Sequence, residues 1–279
     1  GNPEKNEIWN GYSDNKLVSG MFRLNYVYDN KYLLTLTARA DGSSKFGKNN
    51  KWAMFPSGAV SWKAHEESFI KNLNVFDELK FRFSYGISGN QGISPYQTLS
   101  RYGTDKYYND GSWATTIGPG YVSGWTGPGW IYRVWSGITN PDLKWETTSQ
   151  FNVGVDLSLF NNRLRMTADY YRKKTTDLLN NVEMPRSSGY TTALRNIGSI
   201  RNSGFELQLD GRIIDRAVKW DLGVNFSLNR SKVLVLSEDK DIFGGELDNT
   251  ILKDQLNLMR VGEPMYVFYG YVEDGYDEN

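Results

Sequence analysis

The segment FNVGVDLSLFNNRLRMTADYY, residues 151–171, alternates apolar and polar side chains on both sides of an Asn-Asn pair. Successive side chains of a strand point to opposite faces, so the pattern predicts two antiparallel strands joined by a tight turn. One face of this hairpin is wholly apolar, and the other carries charges such as Asp156, Arg165 and Asp169. The apolar face therefore needs either a protein core or lipid against it.

The polar face of the hairpin favours lipid. Unpaired charges are costly in a dry protein core, but they are tolerated beside a water-filled lumen or a polar plug. The same alternation recurs in residues 20–28, 31–41, 54–63, 79–90, 205–212 and 220–231. Each segment is near the roughly 9–11 residues that a tilted membrane strand requires. The sequence therefore predicts an all-β fold, in which eight consecutive antiparallel strands form the wall of a transmembrane β-barrel.

The connections between these strands support the same interpretation. Short connections fall at residues 29–30, 161–162 and 214–219, and residues 64–78 have the pattern of a short amphipathic helix. The alternate connections are long, and they comprise residues 42–52, 91–144 and 177–201. Outer-membrane barrels have short periplasmic turns and long extracellular loops, whereas a β-sandwich has no such rule. Tyr and Trp near the strand ends fit the two membrane interfaces.

Composition excludes several other functions. The formal net charge is +0, so the basic face of a nucleic-acid-binding protein is not expected. Cysteine is absent, which excludes disulfides and thiolate chemistry, and the only histidine is His65, beside two glutamates. We expect His65 to be an ordinary surface residue. No enzyme motif occurs, so neither a catalytic site nor a cofactor or metal site is predicted.

Two groups of residues are candidates for contact with cargo or with other parts of a transporter. Aromatic side chains in the longest connection could stack on sugar rings or on a partner protein, or simply pack within the loop; they are Trp113, Tyr121, Trp125, Trp130, Tyr132 and Trp135. Charged side chains predicted to face the lumen could contact a plug, steer anionic cargo, or serve as solvated or structural pairs; they are Arg23, Arg39, Asp41, Lys80, Arg82, Arg165 and Asp169.

Several segments resemble the SusC/RagA family of TonB-linked outer-membrane transporters of Bacteroidetes. One is NPDLKWETTSQFNVGVDLSLFNNRL, residues 140–164, and the others are residues 37–69, 79–96, 189–209 and 261–279. The resemblance implies a section of a larger barrel of 22 strands. Residues 1–279 would then be a partial barrel domain, without the plug, the N-terminal extension and the final strands.

The resemblance also implies a function in the Gram-negative outer membrane. Members of the family import oligosaccharides or peptides that a SusD-like surface lipoprotein delivers. Energy comes from TonB, ExbB and ExbD through the N-terminal part, and the plug domain of the same chain closes the barrel. Outer-membrane lipid would surround the wall, and nucleic acid is not an expected partner.

Two alternatives remain open at this point. The chain could be a soluble carbohydrate-binding β-sandwich module, in which a second sheet would bury the apolar face of residues 151–159. It could also be a complete small outer-membrane barrel of eight strands with an adhesive or structural role. That barrel would pair the strand near Phe22 with the strand near Phe226, whereas a section of a larger barrel would leave both edges open.

Overall fold

The eight predicted strands form one antiparallel sheet in the computed structural model, which describes residues 12–99, 102–109, 112–119, 121–123, 135–138, 140–185, 192–237, 240–246 and 255–270. Within this sheet each long strand pairs with the next long strand along the chain. The strands are β1 (Leu17–Tyr28), β2 (Tyr32–Ser43), β3 (Trp52–Lys63), β4 (Phe76–Asn90), β9 (Glu146–Leu159), β10 (Leu164–Thr176), β13 (Ser199–Asp215) and β14 (Lys219–Val235). All eight sequence predictions are confirmed.

Short strands occupy two of the long connections and the segment that follows the last long strand. They form three small sheets, from β5 (Tyr102–Asn109), β6 (Ser112–Pro119), β7 (Tyr121–Ser123), β8 (Trp135–Ile138), β11 (Leu179–Glu183), β12 (Thr192–Asn196), β15 (Ile242–Glu246), β16 (Gln255–Met259) and β17 (Val267–Phe268). The sequence pattern of residues 91–144 and 177–201 predicts loops and gives no sign of these strands. We call the end of the large sheet that carries the long connections the loop end, and the opposite end the turn end.

Tight turns at the turn end depend on residues that adopt a left-handed backbone. Asp29 and Asn30 have φ of 48° and 51°, and Asn161 and Asn162 have φ of 56° and 60°. Asn and Asp adopt this conformation at lower cost than other non-glycine residues. The connection between β3 and β4 contains a 3-10 turn (Ala64–Glu66) and α1 (Ser68–Lys71), which confirms the predicted short helix.

His65 contributes to the sheet and is not the ordinary surface residue that the sequence suggested. Its Nδ1 accepts a hydrogen bond from the backbone N–H of Leu79 at 3.2 Å, and its side chain is largely covered. The last β3–β4 pair is Lys63 with Lys80, so the imidazole extends the ladder by one position after β3 has ended. Sequence alternation contains no signal for a contact of this kind.

Register places most of the large apolar side chains on one face of the sheet. One row runs across the eight strands through Tyr26, Leu34, Val60, Phe83, Val153, Tyr170, Phe205 and Leu228. The next row, on the opposite face, runs through Asn25, Thr35, Ala59, Ser84, Asn152, Tyr171, Gly204 and Asn229. A slip of one residue in any strand would exchange the two faces, so the pattern specifies the register strongly. We call them the apolar face and the polar face.

Neither a second sheet nor a helix covers the apolar face within the described part of the chain. Val153, at its centre, is 42% exposed, and Phe83 and Tyr170 are also exposed. The β-sandwich alternative predicted that this face would be buried, and the structure contradicts it.

The two edges of the large sheet are open. Within the described residues β1 pairs with β2 alone, and β14 pairs with β13. Beyond that pairing, β14 gains two backbone hydrogen bonds at Val233, with Gly262 and Glu263. No pairing joins β1 to β14, so the complete eight-strand barrel is also contradicted. An unpaired edge offers a row of free backbone groups, as expected for a wall that continues into further strands.

Candidate functional site on the polar face

The polar face brings together the seven charged residues that the sequence assigned to a lumen. Arg23 lies on β1, Arg39 and Asp41 on β2, Lys80 and Arg82 on β4, and Arg165 and Asp169 on β10. The register puts all of them on the same side as the row through Asn25 and Asn152. Contact of these side chains with a plug or with cargo stays a prediction.

Arg82 is the centre of an ion-pair network that joins three strands. Its Nε and Nη2 donate to the two carboxylate oxygens of Asp156 on β9 at 2.8 and 2.9 Å. Nη2 also donates to Oδ2 of Asp169 on β10 at 3.0 Å, and Nζ of Lys80 lies 3.6 Å from Asp156. A bidentate guanidinium–carboxylate pair fixes both side chains in direction as well as in distance. The network therefore holds a fixed charge pattern on the polar face.

Gly154 makes this network possible. It lies directly between Arg82 and Asp169 in the register. A Cβ at this position would lie 2.3 Å from Oδ1 of Asp169 and 2.7 Å from Nη2 of Arg82. Because only glycine leaves that space open, Arg82 crosses the backbone of β9 to reach the second strand away. Gly154 is a site residue that was not predicted from the sequence, although a glycine inside a strand often marks a close approach.

Tyr171, Gly204 and Asn229 repeat the arrangement on β10, β13 and β14, so the two arrangements share β10. The Tyr171 hydroxyl on β10 donates to Oδ1 of Asn229 on β14, over Gly204 on β13. A Cβ on Gly204 would lie 2.7 Å from Cζ of Tyr171. Two of the polar-face glycines thus allow a long side chain to bond with the second strand along the sheet.

Arg39 and Asp41 form a pair within β2. Nε of Arg39 donates to Oδ1 of Asp41 at 2.8 Å, and the Asp41 residue is only 1% exposed. The geometry is therefore that of a structural ion pair, which was one of the alternatives for these two residues. Arg23 donates to the Thr37 hydroxyl at 3.2 Å, and Arg165 lies opposite Asp210 on β13 without an ion pair among the described residues.

A shallow concavity of about 470 Å³ lies beside the Arg82 network. Its walls combine hydroxyl, amide and charged groups, among them Ser61, Ser84, Asn152, Lys173 and Glu206. Asn152 donates to the Ser84 hydroxyl at 3.2 Å, so part of this lining is already ordered. These residues were not among the predicted site residues, although each occupies a polar position of the alternation.

The only hydrophobic core cluster among the described residues lies at the loop end. It consists of Phe46, Phe55, Ile93, Leu143, Trp145 and Leu194. Leu143 and Trp145 come from the NPDLKWE segment, which closes the longest connection just before β9. This cluster joins the β2–β3 connection, both ends of the longest connection, and β12.

Hydrogen bonds hold the NPDLKWE segment on both sides. Nε1 of Trp145 donates to the carbonyl of Lys51 at 3.4 Å, on the β2–β3 side. On the other side the Asn196 amide accepts from the N–H of Lys144 at 2.9 Å and donates to the carbonyl of Lys144 at 2.7 Å. The Asn196 side chain therefore takes the place of a neighbouring strand, and the segment is a fixed base for the loops.

The loop aromatics are the second group of candidate site residues. Trp125, Trp130 and Tyr132 lie outside the described residues. The backbones of Trp113, Tyr121 and Trp135 belong to β6, β7 and β8, but their side chains lie outside the described part of the chain. Their contact with cargo or with a lid stays a prediction.

At the turn end, Glu67 connects the aromatic side chains of two strands. Its Oε1 accepts from the Tyr32 hydroxyl at 2.6 Å and from Nε1 of Trp62 at 3.4 Å. The hydrogen bond from Tyr32 holds the pKa of the Glu67 carboxyl below its usual value. Lys31 lies 3.5 Å from Glu67, and its hydrogen bond with Asp29 raises the pKa of its ammonium group.

The described residues contain neither a cluster of metal ligands nor a membrane-spanning helix. They contain no group of three or more His, Asp or Glu side chains placed to hold a metal ion. No helix among them is long and apolar enough to cross a bilayer.

A sheet of long strands with one exposed apolar face, one polar face and two open edges is the wall of a transmembrane β-barrel. A protein-family model described as "TonB dependent receptor-like, beta-barrel" matches residues 2–275. The chain belongs to this family, whose members are receptors of the outer membrane and not enzymes.

Relatives with assigned names give the same family. TonB-dependent receptor P3 of Formosa agariphila is 39% identical over 264 residues, which are 94% of this chain and 25% of the relative. TonB-dependent receptor SusC of Bacteroides thetaiotaomicron is 35% identical over 277 residues, 95% of this chain and 26% of the relative. The chain thus spans about a quarter of the length of these relatives.

Solved structures give the same fold. The RagAB peptide transporter matches with a TM-score of 0.72 and 30% identity, over 91% of this chain and 25% of that one. The RagAB peptide importer in the "open-open" state matches with a TM-score of 0.74 and 28% identity, over 95% of this chain and 27% of that one. The resemblance to the SusC/RagA family is confirmed.

Proposed function

We propose that the chain is part of the wall of a SusC-type importer, which takes up oligosaccharides or peptides across the outer membrane with energy from TonB. The observation that carries the proposal is the division of the sheet into an apolar face and a polar face with a fixed charge network. Membership of the TonB-dependent receptor family supports it. In this mechanism the apolar face lies in lipid and the polar face contacts the plug and the passing cargo.

The network around Arg82 suggests how the wall would hold a plug. Asp156 and Asp169 already satisfy the guanidinium, so the wall presents a rigid, nearly neutral surface at this point. Polar groups of the neighbouring concavity, such as Lys173 and Glu206, lie where a plug or cargo would pass. A rigid wall with exchangeable polar contacts would allow TonB to displace the plug without deforming the barrel.

The titles of the RagAB structures support peptide as one class of cargo. Structures of RagAB are titled as a peptide transporter and importer, and the SusC relative is a TonB-dependent receptor. Hydroxyl and amide groups on the polar face, such as Ser84 and Asn152, suit the uncharged hydrogen-bonding groups that peptides and oligosaccharides share. We propose that a SusD-like lipoprotein captures the cargo at the loop end, where Trp125, Trp130 and Tyr132 would stack on it or on the lid.

Deletion of the full-length gene in its own host tests this function. The deletion strain should fail to grow on either short peptides or one class of oligosaccharide as the limiting nutrient, and the intact gene should restore growth. A gene lacking its TonB-contact segment is the control and should not restore growth. Unchanged growth of the deletion strain on every peptide and oligosaccharide tested would contradict import by this protein.

Affinity purification from outer membranes tests the partner separately. The full-length protein should bring down a surface lipoprotein in about equal amount. Replacement of the three loop aromatics by Ala should weaken cargo binding or lid binding, whereas replacement of exposed Leu99 should leave both unchanged. Purification without any lipoprotein would contradict the proposed partner but not the transport activity.

A further inference from the structure

The distribution of charge on the apolar face is strongly uneven. None of its paired positions in the eight strands carries an Asp or Glu. Its basic residues are confined to three adjacent strands at the loop end, namely Arg172 and Lys174 on β10, Arg201 on β13, and Arg230 and Lys232 on β14. We call these five residues the basic patch.

The register makes the basic patch continuous. Lys174, Arg201 and Lys232 lie directly opposite one another in one row, and Arg172 and Arg230 flank Ser203 in the row below. Neighbouring strands are about 4.8 Å apart and two residues along a strand rise about 6.8 Å, so the five Cα atoms span roughly 10 by 7 Å. Five cations within this area repel one another unless an anion lies between them.

The part of the chain that the structure describes supplies no such anion. Within the described residues none of the five makes an ion pair or a side-chain hydrogen bond. Most of the patch is exposed, including Arg172, Lys174, Arg230 and Lys232. By contrast, Arg82 on the opposite face is fully paired with acids. The Arg82 network is therefore neutralised within the sheet, whereas the five cations of the basic patch have no acidic partner among the described residues.

The position of the basic patch along the strands indicates which part of the membrane it would contact. Phe205 and Leu228 form the row immediately toward the turn end, and they are exposed apolar residues of the lipid-facing surface. The patch thus begins where the apolar surface ends, at the loop end. In an outer-membrane barrel the loop end faces the outside, so the patch lies at the level of the outer-leaflet headgroups.

Ordinary interfacial anchoring does not explain the pattern. Long basic side chains that only reach for water would suit both membrane interfaces. The turn end of the apolar face instead carries Tyr28, Tyr32, Trp62 and Trp220 and has no cation at a paired position. The asymmetry points to a ligand that is present on the outer side alone.

We propose that the basic patch binds the phosphate groups of a phosphorylated glycolipid in the outer leaflet. Guanidinium groups bind phosphate oxygens in a bidentate manner, and lysine adds charge without fixed direction. One acyl chain of the same lipid would lie along the exposed row of Tyr170, Phe205 and Leu228. This inference depends on the orientation of the sheet in the outer membrane and not on the identity of the cargo.

Native mass spectrometry of the purified full-length protein tests the proposal. The probes are phosphorylated lipid A, the same lipid after removal of its phosphates, and inorganic phosphate alone. The first should bind about tenfold more tightly than the second, or better. Inorganic phosphate at the same concentration should not displace it, because the acyl chains contribute to binding.

Two matched triple variants decide whether the patch is responsible. K174Q/R201Q/K232Q removes the upper row and should reduce the preference for the phosphorylated lipid by about tenfold. K48Q/R165Q/K173Q removes the same charge from a loop and from the polar face and should keep the preference. Both variants should unfold at the same temperature as the unchanged protein in detergent, which shows that each is folded.

Three results would overturn the proposal. Equal binding of the two lipids by the unchanged protein would show that phosphate is not recognised. Equal loss in both variants would show that net charge, and not the patch, is responsible. Displacement of the lipid by inorganic phosphate at the same concentration would indicate a site for small anions. Failure of import with normal lipid binding would affect the proposed function alone.

Discussion

Arg82 and Asp169 lie on strands that are not neighbours, yet Nη2 of Arg82 is 3.0 Å from Oδ2 of Asp169. The guanidinium reaches across β9 because Gly154 has no side chain at the crossing point. The same geometry joins Tyr171 to Asn229 over Gly204. Each contact connects three strands by a single side chain, so it resists both separation and slippage of the strands. This explains how a wall without a dry core can keep one register.

Gly154→Ala should destabilise the barrel, because the new methyl group occupies the space of the Arg82 guanidinium. We expect a loss of about 1–3 kcal/mol in the free energy of unfolding, as for other overpacked sites. Denaturant unfolding of the full-length protein in detergent measures it. Gly20→Ala is the matched control, since a Cβ there meets nothing within 4 Å. Equal stability of the two variants would show that the crossing contact does not contribute.

A double-mutant cycle should detect the Arg82–Asp169 contact directly. Arg82→Met and Asp169→Asn, combined, should be less destabilising than the sum of the single changes, by about 0.5–3 kcal/mol. The expected coupling arises because each single change leaves the other charge without its partner on a half-covered surface. Chemical unfolding of the four full-length proteins gives the coupling energy.

Arg165 and Asp210 provide the comparison for that cycle. They lie directly opposite each other on β10 and β13, but Asp210 accepts from Gln208 and forms no ion pair with Arg165 in the described residues. Their coupling should be smaller. If it equalled that of Arg82 and Asp169, proximity of charge alone would account for both, and the geometry over Gly154 would be irrelevant.

Alternation predicted the wall because each strand of it faces two different solvents. Leu34 and Thr35, or Val153 and Asn152, differ in polarity because one lies toward lipid and the other toward water. The short strands in the long connections do not have this constraint. β11 and β12 pair with each other over the loop end, and β12 also pairs in parallel with β8, which is distant in the chain. Such pairing depends on tertiary contacts that no local pattern contains.

The candidate site also has features that could be predicted from the sequence and features that could not. The charged positions of the polar face follow from alternation, so Lys80, Arg82 and Asp169 could be predicted. Their partners could not, because the sequence pattern does not show that the register brings both Asp156 and Asp169 within reach of Arg82. Gly154 could not be predicted because glycine is neutral in an apolar/polar pattern. It matters because it has no side chain where the Arg82 guanidinium crosses β9.

Glu67 should make stability depend on pH at the turn end. Its pKa in the folded protein is below the unfolded value of about 4.3, mainly because Tyr32 donates to it. A lowered pKa means that ionised Glu67 stabilises the fold above the unfolded pKa, and that this contribution is lost as the pH falls through the folded pKa. Glu67→Gln should therefore be less stable than the unchanged protein at neutral pH and equally stable in acid.

Measurement of unfolding midpoints from about pH 7 to about pH 3 checks this dependence. Tyr32→Phe is the matched variant, because it removes the hydroxyl that donates to Glu67 and keeps the ring. It should shift the loss of stability upward in pH, toward the ordinary glutamate pKa. A difference between Glu67→Gln and the unchanged protein that stayed constant over the whole range would contradict the assignment.

Leu143→Ala should loosen the base of the longest connection. Leu143 is 0% exposed within the cluster that includes Phe46 and Trp145, and truncation of a buried leucine costs about 2–5 kcal/mol. The loss of stability is greater at the base of the loop than in the long strands, because the strands keep their own hydrogen bonds. Trypsin should therefore cleave within residues 91–139 at least about tenfold faster, because local opening is more frequent.

Leu99→Ala, at an exposed position of the same connection, is the control and should be cleaved at the unchanged rate. Faster cleavage in both variants would mean that the connection is opened by any change within it, and that the NPDLKWE segment does not hold it.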